Sequence, residues 1–326
     1  MMSSGSGSPT IGWNRWLHYW AVLTVCATFP LLLLGAEVTT KQVGMVDPQG
    51  FRLPWHLATV QGLWERGLGY VIEHSHRLAG WVVGTCVIVL AAGLWLRESR
   101  RWVRWVGVAA LAGVVAQGLL GGFRVQLNAL FNMGPNLALM HGCFAEVVFA
   151  VLVSLALFTS RSWAAPVEPL TPQESLPLRR WSLLTAGLAY VQVVFGAVVR
   201  RSELPLGPRL HLLFAFVVVA AVVWLAKLAF ESTDWSARNA VLLLAGLVAL
   251  QLFLGVEAWL AKFPALAEFP QLKPLTSQPQ LIRSLHYLMG SAVFATAVAV
   301  VLQAHRRVVW ASKPSVAPVG RLEGAV

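Results

Sequence analysis

Charged residues are scarce in this sequence. Asp, Glu, Lys and Arg make up 12% of its 326 residues, where a soluble domain carries about 25%, and 57% are hydrophobic. That deficit excludes a soluble enzyme. Cysteine is scarce as well: Cys26, Cys86 and Cys143 all fall inside apolar runs, where neither a loop disulfide nor a zinc site would place them. Acidic residues are the rarer sign, 14 Asp and Glu against 25 Lys and Arg for a net charge of +11. In a soluble chain that balance would point to nucleic acid. In so apolar a chain, basic segments beside membrane spans meet anionic lipid and set topology, and no nucleic-acid partner is expected. The opening residues, Met1 to Pro9, are rich in Ser and Gly and lack a basic stretch, so no cleavable signal peptide is expected and residues 1–16 read as a cytoplasmic tail.

What the sequence does contain is hydrophobic length. A span needs roughly 20 apolar residues, and eight such runs occur, at 17–35, 70–96, 102–122, 137–158, 181–199, 210–230, 240–260 and 285–304. Trp13, Trp16 and Trp20 crowd the first, and Trp102, Trp105, Trp163, Trp181, Trp235 and Trp310 mark later ends, as an aromatic belt requires. The linker at 160–180 contains Pro166, Pro169, Pro172 and Pro177 and divides the chain into halves at 17–159 and 181–304, with a tail at 305–326. The expected fold is all-α: a polytopic membrane protein of eight transmembrane helices arranged as two pseudo-symmetric four-helix bundles. The first outer segment, 36–69, is long, and its Gly44, Pro48, Gly50 and Pro54 predict an ordered, turn-rich loop rather than a further span. Lys and Arg favour the side that holds both termini, which places the termini in the cytoplasm. The bias is diluted by arginines on the other side.

An internal repeat organises the scarce polar residues. Gln117-Gly-Leu-Leu-Gly121, Gln192-Val-Val-Phe-Gly196 and Gln251-Leu-Phe-Leu-Gly255 lie near the outer ends of odd-numbered helices, with a degenerate Leu31-Leu-Leu-Leu-Gly35 in the first. After each comes an outer loop and then a helix that opens with a histidine: His76, His141, His211 and His286. The four imidazoles therefore share one membrane depth, two in each half. Paired imidazoles on facing helices are the arrangement that holds haem iron from both sides. A single histidine of this kind also reads as interfacial packing, but four at equivalent positions do not. His18, His56 and His305 fall at headgroup depth and read as interfacial. His74 lies about 200° around the helix from His76, so both cannot face one iron.

Other candidates surround the repeat. Glu73 is three residues before His76 and shares its face, and four before Arg77, so it reads equally as a carboxylate beside a reacting carbon or as half of a salt bridge. Arg77, Arg124, Arg200, Arg201 and Arg209 on the outer side could pair with haem propionates, or simply face solvent. The glutamines, four residues before their glycines, read as packing contacts between helices. Glu146 and Glu257 are carboxylates inside spans and candidate proton-path residues.

Glu73-x-x-His76-Arg77, Gln117-Gly-Leu-Leu-Gly-Gly122 followed by His141, the helices opened by His211 and His286, and Gly35-Ala-Glu-Val-Thr-Thr40 together resemble the haem A synthase family. The resemblance implies an enzyme of the cell inner membrane that oxidises the C8 methyl of haem O to a formyl group, giving haem A for terminal oxidases. It implies further that His76 and His141 flank the substrate haem, that His211 and His286 are the axial ligands of a haem b, and that Glu73 is catalytic. Haem O synthase and oxidase assembly factors would be its neighbours, and a homo-oligomer is compatible with it. The sequence departs from the family in three places: it has no cysteine pair in the first outer loop, Leu212 follows His211 where Arg is common, and the loop from Arg200 to Arg209 is very short. Two other readings stay open, a di-haem electron carrier and a haem-handling assembly factor that leaves haem unmodified.

Overall fold

The computed structural model describes residues 13–47, 62–165, 172–201, 206–232, 234–262 and 278–306. Within them eight helices are long and apolar enough to cross a membrane. They are α1 (Arg15–Thr40), α2 (Leu68–Arg97), α3 (Arg101–Phe131), α4 (Gly134–Phe158), α5 (Pro172–Arg201), α6 (Leu206–Glu231), α7 (Trp235–Lys262) and α8 (Pro279–Arg306). A 3-10 turn at Trp64–Arg66 and a single helical turn at Arg161–Ala164 are the remaining described elements, and no strand occurs among the described residues. The protein is all-α and passes through the membrane several times, as the apolar runs predict.

Local chemistry sets several helix ends. The Asn14 side chain accepts from the Leu17 N–H at 3.2 Å and caps α1. Pro135 sits in the first turn of α4, where a missing N–H has no intrahelical partner to lose. Asn132 closes α3 in the left-handed region, at φ 52°. The helices outrun the apolar runs at both ends, except that α4 ends with its run at Phe158. At α5 the helix begins at Pro172 and contains Pro177, so residues 172–180 of the proline-containing linker are helix. Pro172 stands at the first helical position, where a missing N–H costs nothing, whereas Pro177 lies inside the helix and forgoes one backbone hydrogen bond. The first outer segment is turn-like over its described ends, at 41–47 and 62–67, while Pro48, Gly50, Pro54 and His56 lie outside the described residues.

Two buried clusters fill the interior. One joins Leu17 and Ala21 of α1 to Val87, Leu90 and Leu94 of α2, Val103 of α3, and Leu152 and Leu155 of α4. The other spans α5 to α8 and also takes in Leu32 of α1 and Phe149 and Ala150 of α4. Helices α1 and α4 therefore contribute to both cores and form the wall against which α5 and α8 pack. The outward faces carry Leu23, Ile88, Phe216, Val223, Leu243 and Phe253, all exposed. Such a surface suits acyl chains rather than water.

The two ends of the bundle differ. At the end holding the N-terminus, cations sit over indole rings: Arg97 over Trp16 at 5.2 Å, Lys227 over Trp224 at 4.8 Å, Arg238 over Trp235 at 3.5 Å and Arg306 over Trp163 at 5.0 Å. The α2–α3 corner at this end is held by Glu98. Its carboxylate takes Arg100 Nε at 2.9 Å, Arg100 Nη2 at 2.9 Å and the Arg100 N–H at 3.0 Å, and Arg100 reaches on to the Phe158 carbonyl at 2.9 Å. Burial opposes ionisation of Glu98, but the hydrogen bonds and charge of Arg100 outweigh it and hold the carboxyl below its ordinary value of 4.5.

A folded value below the unfolded one means that this contribution is complete above about pH 4.5 and is lost as pH falls through the lower folded value. Glu98→Gln should lower the melting temperature of the detergent-solubilised protein at pH 7, and the difference should shrink toward pH 3. A difference independent of pH would remove the charged corner as its cause.

Candidate functional site

The opposite end of the bundle gathers the histidines. His76, His141, His211 and His286 stand within the first three turns of α2, α4, α6 and α8. Each is seated on the repeat glycine of the preceding helix. A Cβ built on Gly35 would stand 2.9 Å from Cε1 of His76; on Gly196, 3.2 Å from Cε1 of His211; on Gly255, 3.1 Å from Cε1 of His286; and on Gly121, 3.6 Å from Cε1 of His141. In every case the atom that would be met first is the same one, Cε1, followed by Nδ1. The repeat in the sequence is thus a repeat of one contact, with the ring laid edge-on against a bare backbone.

The glutamines one turn before the glycines complete the seat. Gln117 Nε2 donates to the His141 carbonyl at 3.2 Å, and Gln192 Nε2 to the His211 carbonyl at 3.0 Å. In the fourth unit, Gln251 Nε2 instead approaches His286 Nε2 at 3.4 Å. The first unit has Leu31 in place of glutamine, and there the main chain serves: the Leu31 carbonyl accepts from His76 Nδ1 at 3.2 Å. The expected interhelical packing contacts are therefore specific to the histidines.

In the second half the structure brings the two histidines together. The rings of His211 and His286 have centroids 6.2 Å apart and planes 88° apart. A metal–imidazole bond is about 2 Å, so two rings sharing one iron stand with centroids roughly 6 Å apart. Nδ1 of each ring is buried without a hydrogen-bond partner among the described residues. Among those residues no group of three or more His, Cys, Asp or Glu could hold a bare metal ion. A facing pair suits an ion whose remaining ligands come with it, as in a metal porphyrin. His76 and His141 lie against their own glycines on α1 and α3.

Glu73 is 3% exposed and fully engaged. It accepts from the Asp47 N–H at 2.8 Å and from Arg77 Nη2 at 2.8 Å, while Arg77 also binds the Asp47 carboxylate at 3.1 Å and its carbonyl at 3.0 Å. The salt-bridge reading of Glu73 is thus realised, and it does more than brace α2: it ties the start of the first outer segment, at Asp47, to α2 one turn before His76. Asp47 was not legible as a partner, because twenty-six residues of loop and helix separate it from Glu73. Gly44 of the same loop lies directly under the Arg124 guanidinium, where a Cβ would collide.

The remaining arginines divide. Arg200 donates through Nη2 to the Ala36 carbonyl and Thr40 Oγ1, both at 2.9 Å, and its guanidinium lies 4.8 Å from the Tyr287 ring. Arg209 is exposed, and the Arg201 side chain lies outside the described residues. Among the other histidines, His74 is 5% exposed and stacks on Tyr70 at 5.8 Å, and His305 bonds its own helix at the Val301 carbonyl. Glu146, 1% exposed, accepts from Ser291 at 2.9 Å. The three cysteines are free thiols.

Fold and site together define a multi-pass helical membrane protein in which every second helix carries, within its first three turns, an imidazole seated on a glycine of the helix before it. A family model described as "Cytochrome oxidase assembly protein" matches residues 62–206, a stretch that encloses Glu73, His76 and His141 and ends before His211. The chain is 24% identical over 192 residues to the haem A synthase of Alkalihalophilus pseudofirmus, covering 58% of this chain and 61% of that protein. It is 27% identical over 192 residues to that of Shouchella clausii, with the same coverage, and 25% identical over 248 residues to that of Lysinibacillus sphaericus, covering 65% and 75%. The chain thus spans about six-tenths of the length of the first two relatives. These matches support the haem A synthase family.

The seat makes a graded prediction. Gly35→Ala should destabilise by about 1–3 kcal/mol, because the new methyl overlaps the His76 ring. Gly121→Ala meets His141 at ordinary contact distance and gains helix propensity, so it should be neutral or stabilising by up to about 1 kcal/mol. Thermal unfolding of the two variants in detergent checks the order. Equal losses would mean that the glycines serve something other than the rings.

Proposed function

We propose that this protein is a haem A synthase, which oxidises the C8 methyl of haem O to the formyl group of haem A for a terminal oxidase. The observation that carries the reading is the His76 seat: an imidazole fixed on Gly35, with the buried Glu73 one turn away on the same face of α2. The family match covers Glu73 and His76 of this seat and begins after Gly35. In this reading residues 17–159 form the substrate half, with His76 and His141 flanking haem O. Residues 181–304 form the cofactor half, with His211 and His286 as axial ligands of a haem b. The linker at 160–180 joins them on the cytoplasmic side of the cell inner membrane, where both termini, 1–16 and 305–326, also lie.

A bound haem b would supply one-electron equivalents to the substrate half. The chain's own residues do the rest. Glu73, its charge balanced by Arg77, would take a proton or steady positive charge developing at the methyl carbon. The Glu73–Arg77–Asp47 bonds fix the start of the first outer segment to the helix that carries His76. Arg124, resting on Gly44 of the same loop, is the best placed of the arginines for a propionate in this half. Arg77 and Arg200 already have protein partners, which leaves the exposed Arg209 as the candidate around the second half, with Arg201 proposed on its position alone. Haem O synthase is the natural supplier of substrate, and oxidase assembly factors the natural recipients of product.

A di-haem electron carrier is the second reading. What favours it is that Glu73 is already paired, as a purely structural carboxylate would be. One experiment separates the two. Protein produced in a host that makes haem O should yield formyl-bearing haem on extraction, identified by chromatography and pyridine spectra; haem b alone would sink the synthase reading. Glu73→Gln should keep haem and lose turnover. His211→Ala and His286→Ala should each abolish the haem b spectrum, and retention in both would show that this pair is not the ligand set.

A further inference from the structure

Helix α8 carries a polar stripe for which the histidine repeat has no use. Gln280, Ser284, Tyr287 and Ser291 follow at spacings of four, three and four, which places them on one face of the helix. Each meets a polar group on a neighbouring helix. Gln280 accepts from Lys41 Nζ at 2.7 Å, and the Ser284 hydroxyl bonds Thr40 Oγ1 at 3.3 Å, both on the α1 side. The Tyr287 ring carries Arg200 of α5, which is itself bound to α1. Ser291 donates to Oε1 of Glu146 on α4 at 2.9 Å, and the Tyr287 hydroxyl lies against the same carboxyl. Oε2 of Glu146 has no hydrogen-bond partner among the described residues. A carboxyl this deeply buried in an apolar span is expensive to keep and asks for a reason.

His286 immediately precedes Tyr287, so its side chain leaves α8 about 100° around the axis. It faces His211 while Tyr287 faces the seam. The two directions are rigidly linked by the helix. We propose that Glu146 is a positioning residue for the His211–His286 pair: by holding Ser291 and Tyr287 it sets the rotation of α8, and so the angle at which His286 meets His211. With a side chain roughly 6 Å from the helix axis, a turn of about 10° moves the ring by about 1 Å. A ligand constellation tolerates about half of that. The first half would in this way fix the geometry of the second, across the wall made by α1 and α4.

The inference rests on the reading that the pair holds a haem iron, and the experiment tells the two apart. Full-length protein is made in a host without haem O, and its ferric haem is measured by low-temperature electron paramagnetic resonance. The lowest-field g value of a low-spin haem between two imidazoles follows the angle between their planes, here 88°. Glu146→Leu should shift that g value with haem per chain unchanged. Ser291→Ala should shift it less, and Glu146→Gln, which keeps an acceptor for Ser291, should leave it in place. An unmoved signal in haem-loaded Glu146→Leu would overturn the positioning role. If that variant does not accumulate, unmoved signals in both Ser291→Ala and Tyr287→Phe would do the same. If the parent signal survives in His286→Ala, the ligand reading falls and takes the positioning role with it; a signal lost in His286→Ala but unmoved by Glu146→Leu sinks the positioning role alone.

Discussion

The structure depends on the approach of an imidazole ring to a bare stretch of helix backbone. At Gly35, Gly196 and Gly255 the distance from a hypothetical Cβ to the ring is 2.9 to 3.2 Å, so no larger residue fits without displacement. Hydrocarbon offers little driving force for apolar helices to leave lipid for one another, and close van der Waals contact with interhelical hydrogen bonds must supply the association. The glycine-to-histidine seat provides both. The ring fills the notch, and the glutamine a turn earlier binds the histidine's carbonyl in two of the units. One contact therefore joins each odd-numbered helix to the next and sets the depth and facing of its imidazole.

The second constraint is the scarcity of water at that depth. A buried polar atom costs several kcal/mol unless it is satisfied, and a buried ion pair is strongly destabilising once one partner is removed. The protein meets this by concentrating polar groups into a few connected sets. Glu73, Arg77 and Asp47 form one, Arg200 with Ala36, Thr40 and Tyr287 a second, and Glu146 with Ser291 a third. All three join segments distant in sequence. Nδ1 of His211 and of His286 are among the buried polar atoms with no hydrogen-bond partner among the described residues, and each lies against the glycine that seats its ring.

Much of this was legible beforehand because membranes simplify the sequence code. The eight spans follow from hydrophobic length, and the four histidines stand out because so few polar residues enter the spans. The glycine pattern foretold close packing, although not that the histidine rings were what packed there. Helix α5 was misjudged at its start because the prolines at 172 and 177 look like linker, yet a proline near a helix N-terminus removes little. The partnership of Glu73 with Asp47 was invisible, since it depends on how a long loop folds back. The stripe at Gln280, Ser284, Tyr287 and Ser291 carried a readable helical period, but each of its members is unremarkable alone, and only their partners on α1, α4 and α5 give the stripe meaning.

Arg200 also bears on how such a chain is made. The Ala36 carbonyl and Thr40 hydroxyl at the end of α1 are bound by a side chain 160 or more residues later in the sequence, and Thr40 is met again by Ser284. The outer end of α1 is therefore completed only when α5 and α8 are packed against it. One short stretch at the outer end of α1 thus ties together three helices that lie far apart in the sequence.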